Sequence, residues 1–349
     1  MACQYIIHNH KKEAKVSLQT VRHDWTFEQV SALYDEPFME LVWQAQNIHR
    51  ANFPINTIQI STLQNIKVGG CPEDCSWCGQ SVYHGVKSEP LLSLEKVIEG
   101  AKQAKQNGAS RYCLAASWRS PTKRNLDSVI EMVKAIKALD LEACITVGQL
   151  NQEQAEKLKE AGLDFYNHNL ETSENHFAKV STTRSYDTRL NTLKNVRAAG
   201  INVCSGGILG MGETIEDRLN LLITLANLPE HPQSVPVNQL VRIAGTPLEN
   251  EQNVDEFEFI RIIALARIMM PTSYVRLSGG RVQMPPLMQT LCFMAGANSI
   301  HFGGKKLLVT PNVTTDADQA LFQQLKLNFV QTPQSACNHK TIPLTVLSA

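Results

Sequence analysis

The segment Gly69-Gly70-Cys71-Pro72-Glu73-Asp74-Cys75-Ser76-Trp77-Cys78 sets three thiols around one small volume at C-x3-C-x2-C spacing. A structural zinc site or an electron-transfer cluster takes four protein ligands. Three thiolates therefore point to different chemistry, an iron-sulfur cubane whose last iron stays open to a substrate or cofactor. Buried thiols with no shared role are the alternative. The chain has nine cysteines in 349 residues, the others at 3, 113, 144, 204, 292 and 337. The charged stretch from His8 to Lys15 is followed by no apolar h-region, so no signal peptide is expected and the location reads as cytoplasmic. In that reducing compartment cysteines serve as metal ligands or nucleophiles more often than as disulfides. Cys292 reads as core, and Cys3 and Cys337 as surface. The ten histidines show no ligand spacing. Met269, Met270, Met284, Met288 and Met294 read as gap fillers. Gly210-Met211-Gly212 lacks the third glycine and the later acidic residue of a dinucleotide fingerprint.

The elements that must position these thiols follow from periodicity. Leu94, Val97, Ile98, Ala101 and Ala104 repeat at helical spacing behind Ser93, and Asn107-Gly108 stops the helix before an apolar strand at 111–115. The same helix-then-strand unit returns ahead of strands at 143–147, 164–167 and 201–205. Further strands are expected at 234–241, 273–278 and 298–302, with a first one at 57–67. Eight short apolar strands alternating with amphipathic helices predict an α/β fold, a (β/α)8 TIM-type barrel, with an open doubly wound sheet as the alternative. The expected organisation is an N-terminal helical extension over 1–50, the barrel over 51–311 and a C-terminal extension over 312–349 that prolongs the last helix and then frays. Cys113, Cys144 and Cys204 fall on the second, third and fifth strands, where they can project inward at neighbouring depth. A lone strand cysteine is usually a small core residue, and three of them leave core packing and a second metal site equally open.

Composition excludes other classes. With 43% apolar residues and 33 Lys+Arg against 33 Asp+Glu, the chain can bury a large core and carries no net field to attract nucleic acid or an anionic membrane. The apolar run 259–271 is interrupted by Arg261 and Arg267 and is shorter than the roughly 20 residues that cross a bilayer.

A C-x3-C-x2-C motif directly after the first strand of a barrel resembles the radical S-adenosylmethionine superfamily. Cys-Pro-Glu-Asp-Cys-Ser-Trp-Cys-Gly-Gln-Ser (71–81), Tyr-Asn-His-Asn-Leu-Glu-Thr-Ser (166–173), Val-Cys-Ser-Gly-Gly (203–207), Gly-Met-Gly-Glu-Thr (210–214), Val-Pro-Val-Asn (235–238), Tyr-Val-Arg-Leu-Ser (274–278) and Phe-Met-Ala-Gly-Ala-Asn-Ser-Ile (293–300) together resemble the biotin synthase family. The likeness runs from Trp25 to Pro333 and includes loops as well as strands. It implies a [4Fe-4S] cluster on Cys71, Cys75 and Cys78, and a deeper [2Fe-2S] cluster on Cys113, Cys144, Cys204 and Arg276. S-adenosyl-L-methionine would lie against Trp77, Ala116, Asn169, Glu171, Arg189, Ile208 and Val241. Its ribose hydroxyls suit the polar acceptors Asn169 and Glu171, and its carboxylate suits the Arg189 guanidinium. Dethiobiotin would meet Asn169, Asn238 and Thr310.

The implied reaction is insertion of sulfur between two saturated carbons of dethiobiotin, driven by 5'-deoxyadenosyl radicals, with the [2Fe-2S] cluster as sulfur donor. The class is a sulfurtransferase. A flavodoxin- or ferredoxin-like electron donor, cluster-assembly machinery and a homodimer are implied as partners. The sequence departs from the family at several points. Trp77 replaces a frequent Tyr, Glu171 a usual Asp, Val309-Thr310 a Thr-Thr pair, and the loop 82–90 is short. A lipoyl synthase is the nearest rival, but its auxiliary cysteines would lie near the N-terminus, where only Cys3 precedes Cys71. A non-catalytic iron-sulfur carrier or zinc module is opposed by the three-thiolate motif.

Overall fold

The computed structural model describes residues 21–304, 306–307 and 310–330. Eight helix-and-strand units close on themselves. The strands are β1 (Thr57–Lys67), β2 (Arg111–Ala116), β3 (Glu142–Thr146), β4 (Phe165–Asn167), β5 (Asn202–Cys204), β6 (Gly207–Leu209), β7 (Ser234–Gln239), β8 (Tyr274–Leu277) and β9 (Ser299–His301). They pair in parallel in the order β1-β2-β3-β4-β5-β7-β8-β9, with β6 continuing the fifth stave along β7. Pairing of Gln59 with Ser299 and Ser61 with His301 joins β9 back to β1 and closes the barrel. All eight expected strands are present. The fifth is split, because the chain bends between Cys204 and Gly207 before resuming as β6.

Helices α1 (Phe27–Tyr34), α2 (Phe38–Asn52), α3 (Leu94–Gln106), α4 (Lys123–Lys137), α5 (Gln152–Glu160), α6 (Glu174–Val180), α7 (Tyr186–Ala198), α8 (Ile215–Ala226), α9 (Glu256–Met269) and α10 (Pro286–Met294) surround the sheet. Their starts are chemically defined: Thr26 with Gln29, Asn151 with Gln154 and Thr214 with Asp217 form reciprocal capping boxes on α1, α5 and α8. The extension α1–α2 buries Val30, Leu41, Val42 and Ala45 against α8 and α9. Each buried Val or Leu there contributes about 1.5 to 3 kcal/mol. Phe27 on α1 is exposed, as is Met294 on α10. Arg267, which interrupts the apolar run, is fully buried and donates to the carbonyls of Pro271, Ser273 and Gly296.

The tail departs from expectation. It does not prolong α10. After the hairpin β10 (Lys306–Leu307) and β11 (Thr310–Pro311), it forms a separate helix, α11 (Thr315–Leu325), and a strand, β12 (Asn328–Phe329), which pairs with the start of β1. A buried, two-pronged Arg281–Asp318 ion pair at 2.6 Å on each arm holds α11 to the barrel. Cys3, Lys305, Val309 and Cys337 lie outside the described residues.

The barrel interior is unusual. Such barrels are commonly filled by layers of branched aliphatic side chains. Here Cys113, Cys144 and Phe165 form a small cluster of their own, packed with Leu63 and separate from the main core.

Candidate active site

A cavity of about 270 Å³ opens at the C-terminal ends of the strands. Cys71, Cys75 and Cys78 line its mouth on the loop after β1, and Cys113, Cys144 and Arg276 line its depth. Trp77, Ala116, Asn169, Glu171, Arg189, Ile208 and Val241 line the same cavity, as do Asn238 and Thr310. Among the candidate site residues named from the sequence, Cys204 is the one not on the wall. It is fully buried behind it, its Sγ accepting from Asn167 Nδ2 at 3.3 Å. Cys292 is buried core, away from the cavity lining.

The cysteine loop is short of apolar residues and is held by polar contacts. The Asp74 carboxylate accepts from the backbone N–H groups of Thr182 (3.0 and 3.1 Å) and Thr183 (3.2 Å) and from both hydroxyls. Burial pushes its carboxyl up, but those hydrogen bonds outweigh it and hold it well below the usual range. Glu73 shares the single Thr183 hydroxyl proton with Asp74, at 2.5 Å, and pairs with Arg119 at 2.5 Å and Arg184 at 3.3 Å. Ser76 N–H donates to Val180 O at 2.9 Å. The segment 180–184, between α6 and α7, therefore clamps the loop. Burial pushes the Cys71 thiol up and the Cys78 thiol to about 12. A cation or metal must accordingly be present for these groups to ionise near neutral pH.

Deeper in, strand register places Cys113 opposite Leu63 on one side and Cys144 on the other. The neighbouring Cys144 thiol lowers the Cys113 pKa, with the Arg276 and Arg111 guanidiniums adding to the effect, while Cys144 is raised. Arg111 lies over the Phe165 ring at 3.3 Å and pairs with Glu142 at 2.9 Å.

The wall between mouth and floor is built around Glu171. Its φ of 73° is left-handed, and its carbonyl accepts Ile208 N–H at 2.7 Å while its N–H donates to Gly206 O. A Cβ on Gly207 would sit 2.5 Å from the Glu171 carbonyl oxygen, so only glycine permits this approach. The Glu171 carboxylate receives Asn169 Nδ2 at 3.3 Å and faces Arg189 at 3.5 Å. Burial raises its pKa against the lowering effect of Arg189. Arg189 also donates to Asn169 O at 2.5 Å. Asn238 is committed to backbone at both ends, donating to Gly207 O and accepting from Gly279 N–H, each at 2.8 Å. Thr310 donates to Leu307 O at 2.7 Å.

Among the described residues, no group of three or more His, Cys, Asp and Glu side chains is gathered tightly enough to hold a single metal ion. The thiols surround a volume rather than a point, and all seven described cysteines are free. That donor set fits multi-iron clusters, which bring their own bridging sulfides between thiolates. Several cavity residues were not singled out as site residues from the sequence. Arg184, His168 and His301 line it, and His168 Nε2 and His301 Nδ1 are buried without hydrogen-bond partners. Arg184 reaches its Glu73 partner across more than a hundred residues of chain, beyond any local pattern.

The profile described as the Radical SAM superfamily matches residues 65–225, from the end of β1 through the cysteine loop to α8. The barrel and the open three-thiolate site thus define an enzyme of the radical S-adenosylmethionine class. A second profile, the Biotin and Thiamin Synthesis associated domain, matches residues 236–328. The chain is 55% identical over 317 residues to the biotin synthase of Marinobacter nauticus, covering 90% of each chain. It is 54% identical over 316 residues to that of Aeromonas salmonicida, covering 90% of this chain and 87% of the relative. It belongs to the biotin synthase family. Solved structures agree on the fold: methylornithine synthase superposes with a TM-score of 0.74 at 20% identity, covering 87% of this chain and 94% of the other. The FeFe-hydrogenase maturase HydG from Carboxydothermus hydrogenoformans gives 0.76 at 18%, covering 87% and 76%. Among the described residues no helix is long and apolar enough to cross a membrane.

Proposed function

We propose that the chain inserts sulfur between two saturated carbons of dethiobiotin to form biotin. Cys71, Cys75 and Cys78 would hold a [4Fe-4S] cluster, and Cys113, Cys144, Cys204 and Arg276 a [2Fe-2S] cluster. The observation that carries this reading is that loop thiols and floor thiols open onto one cavity. When bound, these groups supply the electron that cleaves S-adenosyl-L-methionine to a 5'-deoxyadenosyl radical, and the sulfur that enters the product.

The chain's own residues do the rest. Arg189, buried beside Glu171, offers a guanidinium to the cofactor's carboxylate. Asn169 and Glu171 present polar atoms for the ribose, and Trp77 an aromatic face for the adenine. Ala116, Ile208 and Val241 line the site without hydrogen-bond demands. Leu63, Leu114 and Ile145 on the cavity wall exclude water from a reaction in which stray donors would quench a carbon radical. For dethiobiotin, Asn169 and Thr310 are the polar candidates. Asn238 can join them only by yielding one of its backbone partners or through its second amide hydrogen. A sulfurtransferase of this kind needs a reductant, fitting a flavodoxin- or ferredoxin-like donor, and its free thiols fit the reducing cytoplasm. The family implies cluster-assembly machinery and a homodimer.

The test is direct. The anaerobically reconstituted protein, given dethiobiotin, S-adenosyl-L-methionine and a reducing system, should yield biotin detectable by mass spectrometry. Clusters rebuilt with isotopically labelled sulfide should give labelled biotin in a single turnover without added sulfide. Absence of biotin would sink the function, and unlabelled biotin would sink the sulfur-donor role of the cluster.

A further inference from the structure

Arg276 is 1% exposed, yet no described carboxylate forms an ion pair with it. Its neighbours are neutral. Nε donates to Ser299 Oγ at 2.9 Å, and Nη2 donates to Ser61 Oγ at 3.0 Å and to Gln59 Oε1 at 3.3 Å. Gln59 is the hub of this collar. Its Oε1 also accepts from Ser299 Oγ at 2.6 Å, and the two hydrogens of its Nε2 are shared among Ser61 Oγ at 3.0 Å, Ser110 Oγ at 3.1 Å and Ile60 O at 3.0 Å. The register of the closing staves produces the arrangement, since Ser299 stands opposite Gln59 on β1 and opposite Arg276 on β8. One edge of the guanidinium is therefore fixed. Nη1 makes no hydrogen bond to a described residue and belongs to a side chain that lines the cavity.

A buried cation is expensive unless an anion accompanies it. The collar provides aligned dipoles but no charge, so the counter-charge has to come from the cavity side, where Cys113 and Cys144 open. We propose that Gln59 is a positioning residue for the floor centre: its neutral amide fixes Arg276 through Nη2 and Ser299 while leaving the guanidinium charge and Nη1 available to the anionic iron-sulfur group. This rests on the reading above that Arg276 faces that group. A carboxylate of the same shape at position 59 would retain the guanidinium as an internal ion pair and take it away from the cavity.

The test uses the full chain, reconstituted anaerobically with iron and sulfide, in four forms: wild type, Gln59→Glu, Arg276→Ala and the double variant. Iron and sulfide content, the visible spectrum and the thermal midpoint are read without reference to turnover. Gln59→Glu is expected to fold and to keep the loop cluster while holding the floor cluster at least about tenfold more weakly against a chelator, the usual scale for losing a partner behind a metal ligand. In the Arg276→Ala background it should add no further loss. Full retention of the floor cluster in Gln59→Glu would overturn the proposal, as would an equal loss with Arg276 already removed. Gln59→Ala, which frees the guanidinium without adding charge, serves if Gln59→Glu does not fold, and should also loosen the floor cluster only while Arg276 is present. A wild-type chain that takes up the loop cluster alone would overturn the reading of the floor itself, whatever Gln59 does.

Discussion

The mouth and the floor of the cavity hold thiols in opposite ways. At the mouth, Cys71, Cys75 and Cys78 are neighbours in sequence on a loop anchored to the core through Trp77, and the loop keeps its shape because Glu73 and Asp74 are gripped by Thr182, Thr183, Arg119 and Arg184. On the floor, Cys113, Cys144 and Arg276 are far apart in sequence, and parallel strands set their spacing while the Gln59 collar holds the Arg276 side chain. A loop can yield to admit a cofactor at an open iron. A strand ladder cannot move one residue without moving its neighbours, which suits a centre whose position relative to a carbon radical decides the reaction.

The largest expected separation of the two regions comes from their thiols. Cys71→Ala should abolish reductive cleavage of S-adenosyl-L-methionine, followed as 5'-deoxyadenosine by chromatography. Cys144→Ala should remove the floor cluster and biotin formation while leaving cleavage measurable. Equal loss of cleavage in both, with the loop cluster intact, would erase the distinction between mouth and floor.

A smaller effect is expected where the regions meet. Glu171→Gln keeps the shape of the wall but removes the charge facing Arg189, and should weaken cofactor binding by about 1 to 3 kcal/mol in equilibrium titration. Glu171→Asp should be milder, since it keeps the carboxylate charge facing Arg189. Unchanged affinity in Glu171→Gln would place the ribose elsewhere.

The clamp itself can be released. Asp74→Ala removes the acceptor for two backbone N–H groups and should loosen the loop by about 1 to 3 kcal/mol. Loop-cluster iron should then pass to a chelator faster, with floor-cluster absorbance unchanged. Equal acceleration at both centres would show that the floor depends on the loop.

Acid provides a baseline outside both regions. Burial, with Arg267 and Arg50 nearby, pushes the His49 pKa down to about 3. The folded protein therefore refuses a proton that the unfolded chain accepts below roughly pH 6.5. The stability tied to a neutral His49 is fully present above that pH and is lost as pH falls. His49→Gln should flatten the acid limb of stability by up to roughly 1.4 kcal/mol per pH unit between about pH 6 and pH 4. An unchanged slope in denaturant titrations would assign acid sensitivity to other groups.

The sequence by itself determined the barrel and the mouth. The alternation of apolar strands with capped amphipathic helices needs only local periodicity, and a C-x3-C-x2-C run brings its own ligands together whatever surrounds it. It also placed Cys113, Cys144 and Cys204 on strands, but could not separate core cysteines from ligands, since both occupy the same pattern. Resemblance to a family, rather than spacing, drew them into one site. The helix α11, the strand that returns it to β1, the break between β5 and β6, the Glu171 turn against Gly207 and the Gln59 collar were decided only in three dimensions. Apart from the local break between β5 and β6, these join residues separated by tens to hundreds of positions through hydrogen bonds or steric fit. Such contacts leave no period along the chain, because they depend on which staves closure brings side by side.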